Sequence, residues 1–187
     1  MYVEHEALDR AKEKMDKTIS VFKRELSHIR AGRANPQLLD GVMVDYYVTP
    51  TPISQVGNIS APEPRMLVVS VWDASMIGEV EKAIMKANIG INPANDGKVI
   101  RLVMPELTEE RRKELAKTIR KKGEEAKVAV RSIRRDANET FKKDKKSSAI
   151  TEDDFIDLEK EIQDVTDAHT KTIDTLVHDK ESEVMEV

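Results

Sequence analysis

Arg131, Arg134 and Arg135 crowd one short stretch of this chain, and their spacing sets the first question of chemistry. Apolar Ala126, Val130, Ile133, Ala137 and Phe141 recur every three or four residues around them, which marks the buried stripe of a helix. Lys127, Arg131, Arg134 and Asn138 recur at the same interval, about a quarter-turn away. Followed toward the N-terminus, this second stripe takes in Arg120 and Lys113. A guanidinium binds paired oxygens bidentately and loses little order in doing so, so such a ladder suits phosphate. A basic stripe on one helix edge is a candidate site for an RNA backbone. The same charges also suit a solvated helix face.

Residues for catalysis are missing from the pattern. His5, His28, His169 and His178 show no metal-ligand spacing, and His169 falls on an apolar stripe where a satisfied core histidine is expected. No Gly-rich phosphate loop is present, and Asn35-Pro36 and Gly90-Ile91-Asn92-Pro93 read as turns. The many carboxylates near the C-terminus spread around a solvated face, whereas an acid/base pair needs two carboxyls in different environments. The reading is therefore no enzyme, no cofactor and no metal.

The chain has no cysteine, so neither disulfides nor thiolate metal sites arise. No apolar run approaches the length of a membrane span, and the first residues carry no secretory pattern. A cytoplasmic protein without membrane contact is expected. Charged residues make up 35% of the 187 and aromatics only 4%, which favours long helices over a sheet-rich core. The net charge of −4 hides a partition. Residues 107–146 hold fifteen Lys and Arg against eight Asp and Glu, a net of +7. Residues 147–187 hold three against thirteen, a net of −10. Mutual attraction of neighbouring helices explains part of this. It leaves unexplained a basic stripe expected to point away from that neighbour.

Three segments must carry these residues. Residues 3–29 predict a helix through Leu8, Ala11, Met15, Ile19, Phe22, Leu26 and Ile29, ending near Gly32. Residues 108–146 predict a second, with Thr108 as its cap and Gly123 an interior cost of about 1 kcal/mol relative to Ala. Residues 151–186 predict a third, capped by Thr151 and acidic in its first turn. Helices this long need partners, and an antiparallel three-helix bundle follows. Residues 31–106 hold all seven prolines. Strands are expected at 42–48 and 65–72, with weaker ones at 54–59 and 99–103. A helix is expected at 74–87 behind Asp73, and a turn at Asn95-Asp96-Gly97. The fold class is α+β: a bundle of residues 1–30 and 107–187, with a small α/β domain of residues 31–106 inserted through two short links. Gly32 and Pro105 make those links a plausible hinge, and a rigid corner would satisfy the same residues.

Several runs together resemble the ribosome recycling factor family along essentially the whole chain. They are residues 30–40, Val44-Asp45-Tyr46-Tyr47, residues 49–55, Pro62-Glu63-Pro64-Arg65, Trp72-Asp73, Glu81-Lys82-Ala83-Ile84, Asn95-Asp96-Gly97, residues 105–112 and the run from Arg131 to Asn138. Their joint order is far more specific than any one of them. The resemblance implies an L-shaped, non-enzymatic, monomeric protein with a flexible elbow. Such a protein binds the large ribosomal subunit and, with elongation factor G and GTP, splits post-termination ribosomes. It places rRNA contacts at Arg131 and Arg134, with Arg135 adjacent, and elbow arginines at Arg30 and Arg33 around Gly32. Lys127 and Arg120 join the rRNA set from the stripe. Two positions depart from the family pattern: Val48 stands where a Gly is expected, and Val71 where a Pro is expected. The absence of a transit-like segment favours a bacterial cytoplasm.

A coiled-coil adaptor or holdase chaperone is the competing reading. It would grip protein partners in an apolar groove, with the arginines as solubilising charge.

Overall fold

The computed structural model describes residues 4–29 and 32–186. Backbone contacts group the chain into two compact units, Met1–Arg30 with Glu109–Val187, and Ala31–Thr108.

The first unit is built from helices α1 (Glu6–Ser27), α3 (Glu109–Lys146) and α4 (Glu152–Met185). At 1.5 Å per residue, α3 is about 57 Å long and α4 about 51 Å. Cross-helix pairs fix their directions. Lys145–Glu152, Lys127–Asp174 and Arg120–Glu181 run in opposite senses, so α3 and α4 are antiparallel. His5–Asp144 and Lys122–Glu25 make α1 antiparallel to α3. Lys12–Glu161 and His169–Asp16 make α1 parallel to α4. The expected stripes meet in the interior: Leu8, Met15 and Phe22 of α1, Ile119, Val130 and Phe141 of α3, and Leu158, Ile162 and Ile173 of α4 are buried.

Local chemistry sets the helix ends. His5 caps α1, its Nδ1 accepting the Ala7 N–H at 3.1 Å. The proton then sits on Nε2, 2.9 Å from an Asp144 oxygen, and the ring meets Phe141 edge-on at 4.9 Å. Thr151 caps α4 in a reciprocal box, its hydroxyl oxygen accepting the Asp154 N–H and its own N–H donating to that carboxylate. Between α3 and α4, Ser148 takes a φ of +61° and the Ala149 N–H closes back on the Asp144 carbonyl at 2.8 Å. His169 is satisfied as expected of a packed histidine, with Nδ1 2.7 Å from the Val165 carbonyl oxygen and Nε2 2.7 Å from Asp16.

Gly123 is more than a weak helix residue. It is buried, and a Cβ placed there would lie 2.5 Å from Cγ2 of Val177. The missing side chain lets α3 and α4 approach.

The second unit has strands β1 (Met43–Tyr46), β2 (Thr49–Pro52), β3 (Gly57–Glu63), β4 (Met66–Val71), β5 (Pro93–Asn95) and β6 (Val99–Val103), with helix α2 (Ile77–Lys86). Four strands form one antiparallel sheet in the order β3-β4-β6-β5, and β1 and β2 form a separate hairpin. Leu67 faces Leu102 and Val69 faces Ile100 across β4 and β6, and all four are buried. Val80 and Ile84 of α2 complete that core with Val44 and Ile53. The helix expected at 74–87 begins as a 3-10 turn, Ala74–Met76, with Asp73 accepting the Ser75 N–H at 3.0 Å. Strands β2 and β5 escape the sequence expectation because they carry proline, which strands tolerate at sheet edges and first positions.

The departure at Val48 has a backbone consequence. Tyr47 and Val48 join β1 to β2 with φ of +45° and +69°, the two-residue hairpin turn that asks for Gly or Asn. A β-branched residue there is strained, and Val48 is 96% exposed, so no packing offsets the strain. The Tyr47 hydroxyl donates to Asp73 at 2.6 Å; this bond holds the Tyr47 phenol above its ordinary pKa. Val71 simply continues β4 opposite Gly57.

Two stability outcomes follow from these glycine positions. Gly123→Ala should lower the thermal midpoint in spite of alanine's better helix propensity of about 1 kcal/mol, because Val177 has no spare rotamer; Val177→Ala in the same chain should recover part of the loss. Val48→Gly should stabilise the small unit by about 0.5–1 kcal/mol, the left-handed strain relieved exceeding the added chain entropy. Urea unfolding followed through Trp72, the one tryptophan, reads that change; an unchanged or lower midpoint would mean the turn is not strained.

Candidate nucleic-acid interface

Every cation proposed from the sequence as an RNA contact lies on α3, and one continuous helix sets their spacing. The structure divides them by where they point. Arg131 and Arg135 are exposed and make no hydrogen bond or ion pair among the described residues. Arg134 is half-buried and donates to Gln163 Oε1 of α4 at 3.0 Å. Lys127 lies 2.7 Å from Glu124 on its own helix and 2.8 Å from Asp174 on α4. These carboxylates, Asp174 first and Glu124 second, hold its ammonium above the usual lysine range. Arg120 pairs with Glu181 of α4 through both carboxylate oxygens.

The stripe therefore does not point away from the acidic helix, as the sequence had suggested. Lys127, Arg120 and Arg134 all reach α4. The reason is the phase of the wheel. The buried centre of α3 runs through Ile119, Ala126, Val130 and Ala137, and positions 120, 127, 134 and 138 sit a quarter-turn from it, at the edge of the helix contact rather than opposite it. A long cation at such an edge reaches across to the neighbour. Asn138 shares that edge, and its Oδ1 is buried without a partner among the described residues.

The outward face is reached by turning a further third of a circle or less. It carries Arg131 and Arg135 and also two lysines outside the sequence stripe, Lys117 and Lys121, both exposed. Setting the wheel on the buried centre, instead of on the arginine run, would have found them.

The proposed hinge residues lie where the chain passes from one unit to the other. Arg30 lies outside the described residues. Gly32 has a φ of +74°, and a Cβ there would meet Leu107 Cγ at 3.3 Å. Arg33 and Pro105 are exposed. One turn of the small unit holds both links. The Ala34 N–H donates to the Pro64 carbonyl at 2.7 Å, and the Met104 N–H donates to the Arg65 carbonyl at 2.7 Å. The Arg65 side chain pairs with Glu106. Sequence pattern singled out Pro64-Arg65 only as part of a resemblance, because a clamp made by backbone carbonyls leaves no residue-type signature.

Among the described residues no group of three or more His, Cys, Asp or Glu side chains could hold a metal ion. No helix is long and apolar enough to cross a membrane among them.

Comparison with known proteins agrees over nearly the full length. The ribosome recycling factor family model matches residues 22–185. The ribosome-recycling factor of Caldicellulosiruptor saccharolyticus is 56% identical over 182 residues, covering 97% of this chain and 99% of that one. That of Thermoanaerobacter sp. strain X514 is 60% identical over 180 residues, covering 96% and 98%. A solution structure of the ribosome recycling factor superposes with a TM-score of 0.79 at 36% identity, covering both chains fully. Models of the T. thermophilus ribosome recycling factor and the E. coli elongation factor G, bound to the E. coli post-termination complex, give a TM-score of 0.63 at 39% identity, covering 97% of this chain and 98% of that one. The helix plan, the small antiparallel sheet and the full-length match together place this chain in the ribosome recycling factor family, whose members are non-enzymatic translation factors.

Proposed function

We propose that this protein binds the rRNA of the large ribosomal subunit through α3 and, with elongation factor G and GTP, splits post-termination ribosomes while acting as a monomer in the cytoplasm. The observation that carries the reading is the pair Arg131 and Arg135, exposed on one continuous helix and without internal partners among the described residues. Guanidiniums in that state give up no ion pair when a phosphate arrives. Arg134 stands beside them, its bond to the neutral Gln163 leaving its charge uncompensated. Lys127 and Arg120 serve a different end: they neutralise Glu124, Asp174 and Glu181 at the seam with α4. The partnership with elongation factor G is supported by the relative seen with that factor on a post-termination complex.

The residues around Gly32 and Pro105 form the hinge in this proposal. Ala34 and Met104 are bonded to one turn of the small unit, so the links start from fixed points. Gly32 supplies a left-handed torsion that other residues resist. Force from the translocating factor on the small unit would then be passed through stiff helices.

Two measurements test the halves separately. Arg131→Ala/Arg134→Ala should weaken binding to large subunits and reduce the slope of log affinity against log salt by about 0.7–0.9 for each phosphate no longer neutralised. An unchanged affinity and slope would remove these residues from the interface. Gly32→Val should slow factor-dependent splitting, followed by light scattering, more than it weakens subunit binding, since it restricts backbone torsion without touching α3. An equal reduction of both would count against a moving hinge.

A further inference from the structure

We propose that Lys117 and Lys121 form a second phosphate-binding pair for the RNA backbone, about four turns of α3 N-terminal to Arg131 and Arg135. The inference rests on the reading of α3 as the RNA-binding helix and extends its footprint.

Geometry places the two lysines on the arginine face. Lys117 and Arg135 are eighteen residues apart, which is five whole turns, so they share one angular position. Lys121 and Arg131 lie within about 40° on either side of that line. From Lys117 to Arg135 the rise is about 27 Å. Val128, exposed at the middle of this face, separates the two cationic pairs by an uncharged window.

The pairing of charges along the helix separates these four side chains from their neighbours. Seven other cations of α3 are matched to carboxylates: Arg111 to Glu114, Lys113 to Glu109, Arg120 to Glu181, Lys122 to Glu25, Lys127 to Glu124 and Asp174, Lys142 to Glu139, and Lys145 to Glu152. Arg112 and Arg134 are half-buried, Arg112 with a buried Nε and Arg134 bonded to Gln163, and neither lies on the outward face. Lys117, Lys121, Arg131 and Arg135 have no such partner among the described residues. The one acid inside this stretch of the face, Glu124, is already held by Lys127 at 2.7 Å. Glu125 and Asp136, the remaining acids of the stretch, turn toward α1, where they line the grooves between α1 and α3. The paired cations thus cancel the acids, and Lys117, Lys121, Arg131 and Arg135 are left together facing outward. Lys143 and Lys146 are unpaired among the described residues too, but they sit in the last turn, where the helix dipole already favours a cation.

Two lysines four residues apart present two point charges about 6 Å apart along the axis, suited to successive phosphates of one strand without bidentate geometry. Lysine here would add affinity without sequence preference.

The test is binding of the full chain to purified large ribosomal subunits over a range of KCl concentrations. Lys117→Gln/Lys121→Gln should lower the salt slope by about 1.5, the sum for two phosphates. Lys160→Gln/Lys171→Gln on α4 removes the same charge elsewhere and should leave the slope near wild type. Circular dichroism and thermal midpoints establish that each variant is folded; should the glutamine pair unfold, Lys117→Arg/Lys121→Arg keeps the charge and should keep the wild-type slope. An unchanged slope in the Lys117/Lys121 variant, alongside a reduced slope in Arg131→Ala/Arg134→Ala, overturns this inference and leaves the arginine reading standing. Unchanged slopes in both overturn both. A drop in affinity with no change of slope would mean that the lysines act without neutralising phosphates, and would equally overturn the inference.

Discussion

The antiparallel seam between α3 and α4 is the constraint on which the rest depends. The segment holding α3 has a net charge of +7 and the segment holding α4 a net of −10, so side by side they attract, while either alone repels itself. Lys145–Glu152, Arg134–Gln163, Lys127–Asp174 and Arg120–Glu181 recur along it at steps of seven or eleven residues, close to whole numbers of turns. Exposed ion pairs of this kind stabilise little individually. Burial of Ile119, Val130, Phe141, Ile162 and Ile173 holds the helices together. The polar pairs select the register among the alternatives that an apolar stripe alone would allow, and Gly123 against Val177 sets how closely the helices approach.

That division of labour decides which cations remain for a partner. A basic helix beside an acidic one could have consumed all its charge internally. It does not, because only side chains within about a quarter-turn of the helix contact can reach α4, and those on the outer face cannot. The result is a helix with one edge neutralised and one face cationic, backed by a strongly acidic neighbour. For a polyanion this arrangement has one attractive orientation: the face of α3 draws it in and the carboxylates of α4 repel it. The charge partition visible along the chain therefore supports cohesion of the bundle and, in the proposed function, would give docking a direction.

Much of this was legible in the residues. The buried stripes of α1, α3 and α4 follow from spacing alone, as do the Thr151 cap and the turn at Asn95-Asp96-Gly97, because each is a local consequence of side-chain type. What escaped was set by neighbours. The direction of Lys127 and Arg120 depends on where Asp174 and Glu181 lie on another helix. Gly123 reads as a propensity cost until Val177 is seen against it. Strands β2 and β5 are held by partners in spite of their prolines, and the cap at α1 is a histidine, a residue type that carries no strong capping signal. The arginine face is legible because its charge density is extreme, whereas the outward position of Lys117 and Lys121 depends on where the buried centre of α3 lies.

The two chain crossings are anchored on the small unit by backbone hydrogen bonds. Each crossing ends on the same β3–β4 turn: Ala34 on the Pro64 carbonyl, Met104 on the Arg65 carbonyl, with the Arg65 guanidinium reaching on to Glu106. In the proposed hinge, these bonds fix Ala34 and Met104 to the small unit, so the torsions available to it lie on the bundle side of those residues. Proline fixes φ at Pro105, which leaves less freedom on the second link than on the first. Gly32 takes a positive φ, and a side chain added there would meet Leu107 at 3.3 Å, so both torsion and space favour glycine at this position. In the proposed hinge, the glycine would supply conformations that a residue with a side chain resists, while the proline on the second link would hold one torsion fixed.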